Sequence, residues 1–441
     1  MLVNPDNQIL SLLQQQAHAD YIGEPVSQLE HALQCACFAM DAGADEAVVL
    51  AALLHDIGHV CDPAATRMAD VGVRLHEHVG ADYLRACGLF DSIAELVSQH
   101  VNAKRYLVAT REAYRRHLSP ASEKTLAFQG GPMSREEAAA FEKHPQFEQI
   151  LKLRAWDEAA KIPDKALPDV SVFDAMIQRH RRQRLTDAQL KLWHEQGYLH
   201  IKDWFSPVEV QQLVATIDDL VSWPDAPGQW MKYYETTGRG KQLCRIENFL
   251  QYVPQLSRLA RGEAMLTLIS RLMEEPAVLF KEKLNLKLSG GNGFLPHQDA
   301  PAFTTFGQTF HITMMVSVDA TTSANGCLEV VPGHHRAGLL PTAEDLTMSP
   351  EVADNLTWQS VETEPGDLLL FGSFLPHRSG PNATDGARRA LYITYNRAAE
   401  GGDVRDAYFQ LKRQSFPPEA EREAGKHYDP GVFNVGNPVD K

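Results

Sequence analysis

Two domains of different class are expected: an all-α N-terminal half, then a C-terminal β-sandwich or jelly roll with flanking helices. Three observations predict this. The chain has 441 residues, more than a single core ordinarily serves. Its early part repeats apolar residues at helical spacing. After Pro276, short apolar runs alternate with Gly, Pro and Asn turns. The change of texture falls at Leu185, so the expected domains are 1–184 and 185–441.

The N-terminal helices read in order. "VSQLEHALQCACFAMDAG" stops at Gly43, and "DEAVVLAALLHDIGHV" follows it. "HEHVGADYLRACG" and "IAELVSQHVNAKRYLV" come next. "SREEAAAFEKH" opens on a Ser134 cap and leads to "FEQILKLRAWDEAAK". The Pro-containing "KIPDKALPDVSV" breaks the pattern before a last helix, "FDAMIQRHRRQR".

The second half begins with a helix, "TDAQLKLWHEQG", and a strand, "YLHIK". Ser206, Pro207 and Glu209 then form a capping box with Pro at the first helical position. The expected strands are "AVLFKEKLNLKL", "FHITMMVSVDA", "GCLEVVPG", "GDLLLFG" and "RALYITYNRA". No internal repeat or low-complexity tract joins the halves.

Composition narrows the function classes. A formal charge of −15 disfavours nucleic acid or an anionic membrane as partner. Cys35, Cys37, Cys61, Cys87, Cys244 and Cys327 include no C-x-x-C pair, which suits reduced thiols in a cytoplasmic protein. "MLVNPDNQIL" lacks a basic region and a long apolar run, so no signal peptide is expected, and no stretch is apolar enough to span a membrane.

His31, His55, Asp56, His76, His100 and Asp157 stand out in the first half. A lone His on an apolar helix is more often a core residue than a ligand. Here, though, His31, His76, His100 and Asp157 each come from a different helix, and His55 and Asp56 are adjacent. One metal can take the imidazole while the carboxylate bridges to a second. His and carboxylate donors suit iron, manganese or zinc.

The order H…HD…H…H…D resembles the HD-domain superfamily. Most members are metal-dependent phosphohydrolases, and a minority are di-iron oxygenases. The equal spacing of His31–His55 and His76–His100 favours the minority, as do "YIGEPVSQLEH", "HVNAKRYL", "LSPASEKTLAFQGGPMS" and "LRAWDEAAK". Over roughly residues 8–182 the chain resembles the mixed-valence di-iron oxygenases of the PhnZ type, which cleave carbon–phosphorus bonds. The resemblance implies one iron held by His31, His55, Asp56 and Asp157, and another held by Asp56, His76 and His100. It implies Lys104, Ser122 and Arg154 on phosphonate oxygens, with Tyr21 and Glu24 closing over the far end, where a carboxylate suits an ammonium group. Asp56, Lys104 and His59 are the implied catalytic residues, His59 lining the pocket one turn after His55. His78, two residues past His76, faces elsewhere and reads as a surface residue. The implied chemistry is an O2-dependent oxidation of a 1-hydroxyphosphonate through an Fe(II)/Fe(III) pair, releasing phosphate.

In the second half, "LPHQDAP" supplies His297 and Asp299, and "FLPHRSGPNATDGARRALYITYN" supplies His377. H-x-D with a distal His is the facial triad of a non-haem Fe(II) oxygenase, with open positions for a 2-oxo acid and O2. Arg388, eleven residues beyond His377, would bind the distal carboxylate of 2-oxoglutarate. Arg389 would face the other side of that strand. His334 and His335 follow a Pro-Gly turn and read as loop residues. Lys281, Lys283 and Lys287 share one strand face, open either to a phosphonate or to solvent at a strand edge.

From "LWHEQGYLHIKDWFSPVEVQQLV" to "NGCLEVVPGHHRAG", this half resembles the phytanoyl-CoA dioxygenase family over about residues 186–400, departing from it with His334 for the usual Ser. The resemblance implies a double-stranded β-helix. The PhnZ type works with a hydroxylase from this family, the PhnY type, and the chain reads as a fusion of the two steps. The implied substrate is a small phosphonate, with 2-aminoethylphosphonate favoured by Tyr21 and Glu24. Its trimethylated analogue, a phosphohydrolase fused to an unrelated oxygenase, and a non-catalytic metal-stabilised module are the rivals. Oligomeric state stays open.

Overall fold

The computed structural model describes residues 8–15, 24–68, 72–182, 185–303 and 306–439. Tyr21 lies outside the described residues. The chain divides into two compact units, 1–184 and 185–441.

The first unit is all helical in its regular elements. In chain order these are α1 (Gln8–Gln15), α2 (Gln28–Asp41), α3 (Glu46–Leu54), α4 (His76–Ala86), α5 (Asp91–Thr110), α6 (Glu112–Arg116), α7 (Pro120–Phe128), α8 (Arg135–Phe141), α9 (Phe147–Ala159) and α10 (Asp174–Arg179). Helix α3 has apolar side chains all round, and Val48 to Leu54 are all buried. A helix without a polar face can only sit inside, and α2, α5 and α9 pack around it. Ser27 with Glu30 and Ser134 with Glu137 form capping boxes that start α2 and α8. The last expected helix shortens to α10, preceded by a 3-10 turn over Val170–Phe173.

The second unit opens with α11 (Asp187–Gln196), β1 (Tyr198–Ile201) and α12 (Pro207–Ser222). A hairpin follows, β2 (Met231–Thr237) and β3 (Gly240–Glu247), then α13 (Pro254–Arg261), α14 (Glu263–Met273) and β4 (Ala277–Lys287). Next come β5 (Phe294–His297), α15 (Ala300–Phe303), β6 (His311–Ser317), β7 (Leu328–Val330), α16 (Pro350–Asp354) and β8 (Gln359–Val361). The fold ends with β9 (Leu368–Gly372), β10 (His377–Ser379), β11 (Arg388–Arg397) and α17 (Arg405–Ser415).

These strands form a seven-stranded sheet, ordered β1-β9-β6-β11-β4-β3-β2, and a four-stranded sheet, β5-β10-β7-β8. This is a double-stranded β-helix with flanking helices. Leu284, Leu286, Leu391 and Ile393 point outward onto α12, α13 and α14 residues. Ala390 and Tyr392 point inward to Leu328 and Val330 of the small sheet.

The β2–β3 hairpin corrects the expected strand list, which has none between "YLHIK" and Pro276. Its inward positions carry Arg245 and Glu247 rather than apolar residues, so the two-residue alternation is masked. Strand β4 is also no edge: it lies between β11 and β3.

Candidate metal centres

In the first unit the chain bends sharply after α3, and the bend presents His55 and Asp56. His55 caps α3 and Asp56 follows with φ −99°. A 3-10 turn over Ile57–His59 then packs onto α4. Gly58 is required there, because a Cβ would stand 1.9 Å from the His76 carbonyl oxygen. The remaining imidazoles come from the first turn of α2 (His31), the start of α4 (His76) and the middle of α5 (His100).

All four are buried and arranged in two pairs. His31 Nε2 lies 3.1 Å from His55 Nε2, and His76 Nε2 lies 3.0 Å from His100 Nε2. His31, His55 and His100 each use Nδ1 on a backbone carbonyl, of Ala160, Ala52 and Val97. Those Nδ1 atoms donate, which leaves each of these Nε2 atoms a bare lone pair. In the first pair two lone pairs face each other, and a metal ion or a shared proton between them relieves the repulsion. Two donors ~2.1 Å from one ion at about a right angle stand this far apart.

Asp56 divides its carboxylate between the pairs. Its Oδ2 lies 3.4 Å from His55 and 3.9 Å from His31. Its Oδ1 lies 3.3 Å from His76 and 3.6 Å from His100. Asp157 Oδ1 adds a donor to the first pair, 3.5 Å from His31. Burial would raise the Asp56 carboxyl, but His55, His76 and His59 outweigh it and hold it well below the usual range. Burial likewise opposes ionisation of Asp157, and Arg154 with His31 and His55 overcomes it. The donor set fits two hard-to-borderline divalent ions bridged by Asp56.

Cys35, passed over in the sequence, lies 3.9 Å from His31 Nε2. Burial pushes its thiol up, while Asp157 is already held ionised, so the two differ as anionic donors to the first pair. His59 stacks on His76 with centroids 4.0 Å apart. Its Nδ1 accepts the Val73 N–H, so the ring proton is on Nε2, 3.9 Å from Asp56 Oδ1. His59 is therefore a donor beside the metal set and not a ligand. His78 is exposed.

A cavity opens on this centre, lined by Asp56, His59, Lys104, Ser122, Arg154 and Glu24. Lys104 donates to Thr125 Oγ1 at 2.9 Å, and burial with nearby Arg154 lowers it to about 7. Arg154 is more engaged than the sequence suggests: it donates to Asp157 at 2.5 Å and to Tyr114 at 2.8 Å, and pairs with Glu158. Glu24 accepts from Lys161 at 2.8 Å, a partner no local spacing foretold.

In the second unit, β5 and β10 are antiparallel neighbours and place His297 directly opposite His377. Both Nδ1 atoms donate to the carbonyl two residues back, of Leu295 and Leu375. Both Nε2 atoms are therefore bare, 3.7 and 4.0 Å from Asp299 Oδ1. Gln298 between them turns away, its amide bonded to Gly338, Phe374 and Leu340. Asp299 is held at about 2: burial opposes this, and His377, His297, Lys283 and Lys281 override it. Two imidazoles and one carboxylate on one side of a point form a facial set that fits Fe(II) and leaves positions open.

Arg388 is buried opposite Lys287 on β4. It donates to the Gly326 carbonyl at 2.9 Å, while its Nε has no hydrogen-bond partner. It lines a small cavity with Asn285, Lys287 and Phe294. Arg389 faces out and pairs with Asp319 and Asp218. His334 and His335 sit in a 3-10 turn and belong to neither candidate metal set. No described helix is long and apolar enough to cross a membrane.

Known proteins align with both units. Residues 193–390 match the phytanoyl-CoA dioxygenase (PhyH) family model, and residues 29–138 match the HD domain model. The 2-aminoethylphosphonate dioxygenase of Uncultured bacterium HF130_AEPn_1 is 47% identical over 259 residues, 58% of this chain and 98% of that protein. The methylphosphonate hydroxylase of Gimesia maris is 40% identical over 232 residues, 53% of this chain and 88% of that protein. The [1-hydroxy-2-(trimethylamino)ethyl]phosphonate dioxygenase (glycine-betaine-forming) of Leisingera caerulea is 46% identical over 162 residues, 36% of this chain and 82% of that protein. The chain is an oxygenase of the phytanoyl-CoA dioxygenase family, joined in one polypeptide to an HD domain.

Proposed function

We propose that the chain carries out two consecutive oxidations of a small phosphonate, best read as 2-aminoethylphosphonate. The C-terminal domain hydroxylates C1, using 2-oxoglutarate and O2 and releasing succinate and CO2. The N-terminal domain then oxidises the 1-hydroxy product with O2, giving glycine and phosphate. The observation that carries this reading is the division of the Asp56 carboxylate between two close imidazole pairs, in a chain that also holds a complete His297–Asp299–His377 set. Phosphate-ester hydrolysis needs only a metal-activated water, whereas a carbon–phosphorus bond must first be oxidised at carbon. The relatives' names fit the pairing, since one acts on a phosphonate and another on a 1-hydroxyphosphonate.

Bound to these residues, a mixed-valence iron pair in the first domain and one Fe(II) in the second supply O2 activation. The protein's own groups do the rest. Lys104 and Ser122 present donors to phosphonate oxygens across the cavity, while Arg154 holds Asp157 in place and adds positive charge. His59 offers its Nε2 proton toward the reacting carbon's hydroxyl. Arg388 has an unpartnered Nε to give to the distal carboxylate of 2-oxoglutarate. Residues 1–184 and 185–441 are the two catalytic domains in this reading.

The primary amine is favoured over its trimethylated analogue by the cavity wall. Glu24 and Gln28 line it and can accept N–H bonds. A quaternary ammonium is better held by aromatic faces. The test is direct: incubate iron-loaded protein with 2-aminoethylphosphonate, 2-oxoglutarate and ascorbate, with and without O2, and assay glycine and phosphate. Phosphate that forms without O2, or none from any small phosphonate, sinks the proposal.

A further inference from the structure

The interior of the C-terminal domain holds more cations than its carboxylates can match. Arg245, Lys281, Lys283 and Lys412 cluster there with Glu247 and Asp299. Glu247 is already committed: Lys412 pairs with it at 2.5 Å and Arg245 at 3.2 Å. Asp299 belongs to the metal set. Neither Lys281 nor Lys283 has a carboxylate within ion-pair distance among the described residues. Among the described residues Lys281 makes one weak bond, 3.3 Å to the Tyr408 hydroxyl, and Lys283 makes none.

Both ammonium groups flank the triad. Lys281 stands over Phe303, 4.1 Å from the ring centroid, and Phe303 ends the helical turn that follows Asp299. Lys283 stands over Tyr392, which packs with Phe371, and the Phe371 ring is 5.0 Å from His377. Two positions apart on β4, they share its inward face with a spacing of about 7 Å. They do not line the cavity around Arg388, where the distal carboxylate of 2-oxoglutarate is placed. Burial lowers Lys281 to about 8 and Lys283 to about 7, the direction expected of ammonium groups awaiting a counter-ion.

We propose that Lys281 and Lys283 form the cradle for the substrate's phosphonate dianion in the C-terminal domain, holding C1 toward the His297–Asp299–His377 centre. This rests on the reading above that the substrate is a phosphonate. Three phosphonate oxygens can accept from both ammonium groups at once. The lysines thereby set specificity for a small doubly charged head group, and the same strand separates it from the 2-oxoglutarate pocket at Lys287 and Arg388.

The test uses the full iron-loaded chain and its Lys281→Met, Lys283→Met and Lys283→Arg variants. Succinate formation reports the C-terminal reaction alone. Each Met variant should raise KM for 2-aminoethylphosphonate about 10- to 100-fold, the loss of one charge-assisted contact. KM for 2-oxoglutarate should stay within about twofold, and Lys283→Arg should recover most of the loss. A phosphonate KM within about twofold of wild type overturns the proposal. So does an equal rise in KM for 2-oxoglutarate, which would assign the lysines to the cosubstrate. If no small phosphonate stimulates succinate formation in wild type, the functional reading has failed. The lysines are then judged under nitrogen, by the visible absorption of the Fe(II)–2-oxoglutarate complex titrated with 2-aminoethylphosphonate. A spectral change in wild type that the Met variants lose supports the cradle; the same change in all, or none in wild type, refutes it.

Discussion

Replacing His100 by Ala should separate the two reactions within one chain. The ring is 2% exposed, and its Nε2 stands 3.0 Å from His76 and 3.6 Å from Asp56. Its removal takes one of three donors from the second ion, leaving His76 and Asp56. Losing even an outer-shell partner typically costs about 10- to 100-fold in metal affinity or activity, so loss of a direct ligand should cost about 1000-fold or more. The fold should survive. His100 sits mid-helix in α5, Ala has the higher helix propensity, and the Val97 carbonyl that accepted its Nδ1–H keeps its helical partner. A buried side chain of this size shortened to Ala costs about 2–3 kcal/mol. The assay is phosphorus NMR beside a succinate measurement, with 2-aminoethylphosphonate as substrate. Wild type should release one phosphate for each succinate. The variant should form succinate at an undiminished rate while the 1-hydroxyphosphonate accumulates in its place. Phosphate still released at more than about a tenth of the wild-type rate would refute the second ion's role. Succinate formation that collapses with it would refute the independence of the two centres.

Further outcomes follow from the same geometry. His377→Ala should give the mirror result, abolishing use of 2-aminoethylphosphonate while sparing phosphate release from supplied 1-hydroxy compound. Because burial and Arg154 lower Lys104 to about 7, its ammonium is present below that pH and lost above it. In the N-terminal reaction kcat/KM should therefore fall as pH rises past about 7, and Lys104→Met should remove that limb and cost about 10- to 100-fold below it, measured as a pH–rate profile. Chelation should lower the melting temperature, since ions at about 1000 times Kd stabilise by about 4 kcal/mol per site; iron added back should restore it, as followed by calorimetry. Gly58→Ala should be severe although it removes no ligand. Its Cβ would meet the His76 carbonyl at 1.9 Å, so α4 must shift, costing about 1–3 kcal/mol in denaturant unfolding and lowering the iron content.

Much of this protein is legible along the chain. The all-α class and the sandwich or jelly-roll class follow from apolar periods of the helix and the strand, and the ligand types follow from residues whose chemistry needs no neighbour to define it. The H-x-D pair, the distal His377 and Arg388 are readable as a motif of residue types and spacing, and strand alternation tells Arg388 from Arg389. The β2–β3 hairpin was not readable, because Arg245 and Glu247 occupy inward positions that a strand pattern reserves for apolar residues. Nor were the partners of the cavity residues. Glu24 meets Lys161 across 137 positions, Lys104 meets Thr125 across 21, and Arg154 is spent on Asp157, Glu158 and Tyr114. The three lysines of β4 show the division most plainly. Alternation put them on one face, yet only the pairing of β4 between β11 and β3 placed that face inside the β-helix rather than at a strand edge. Sequence determines what a side chain can do; the tertiary structure decides what surrounds it, because burial and charge pairing depend on residues far apart in the chain.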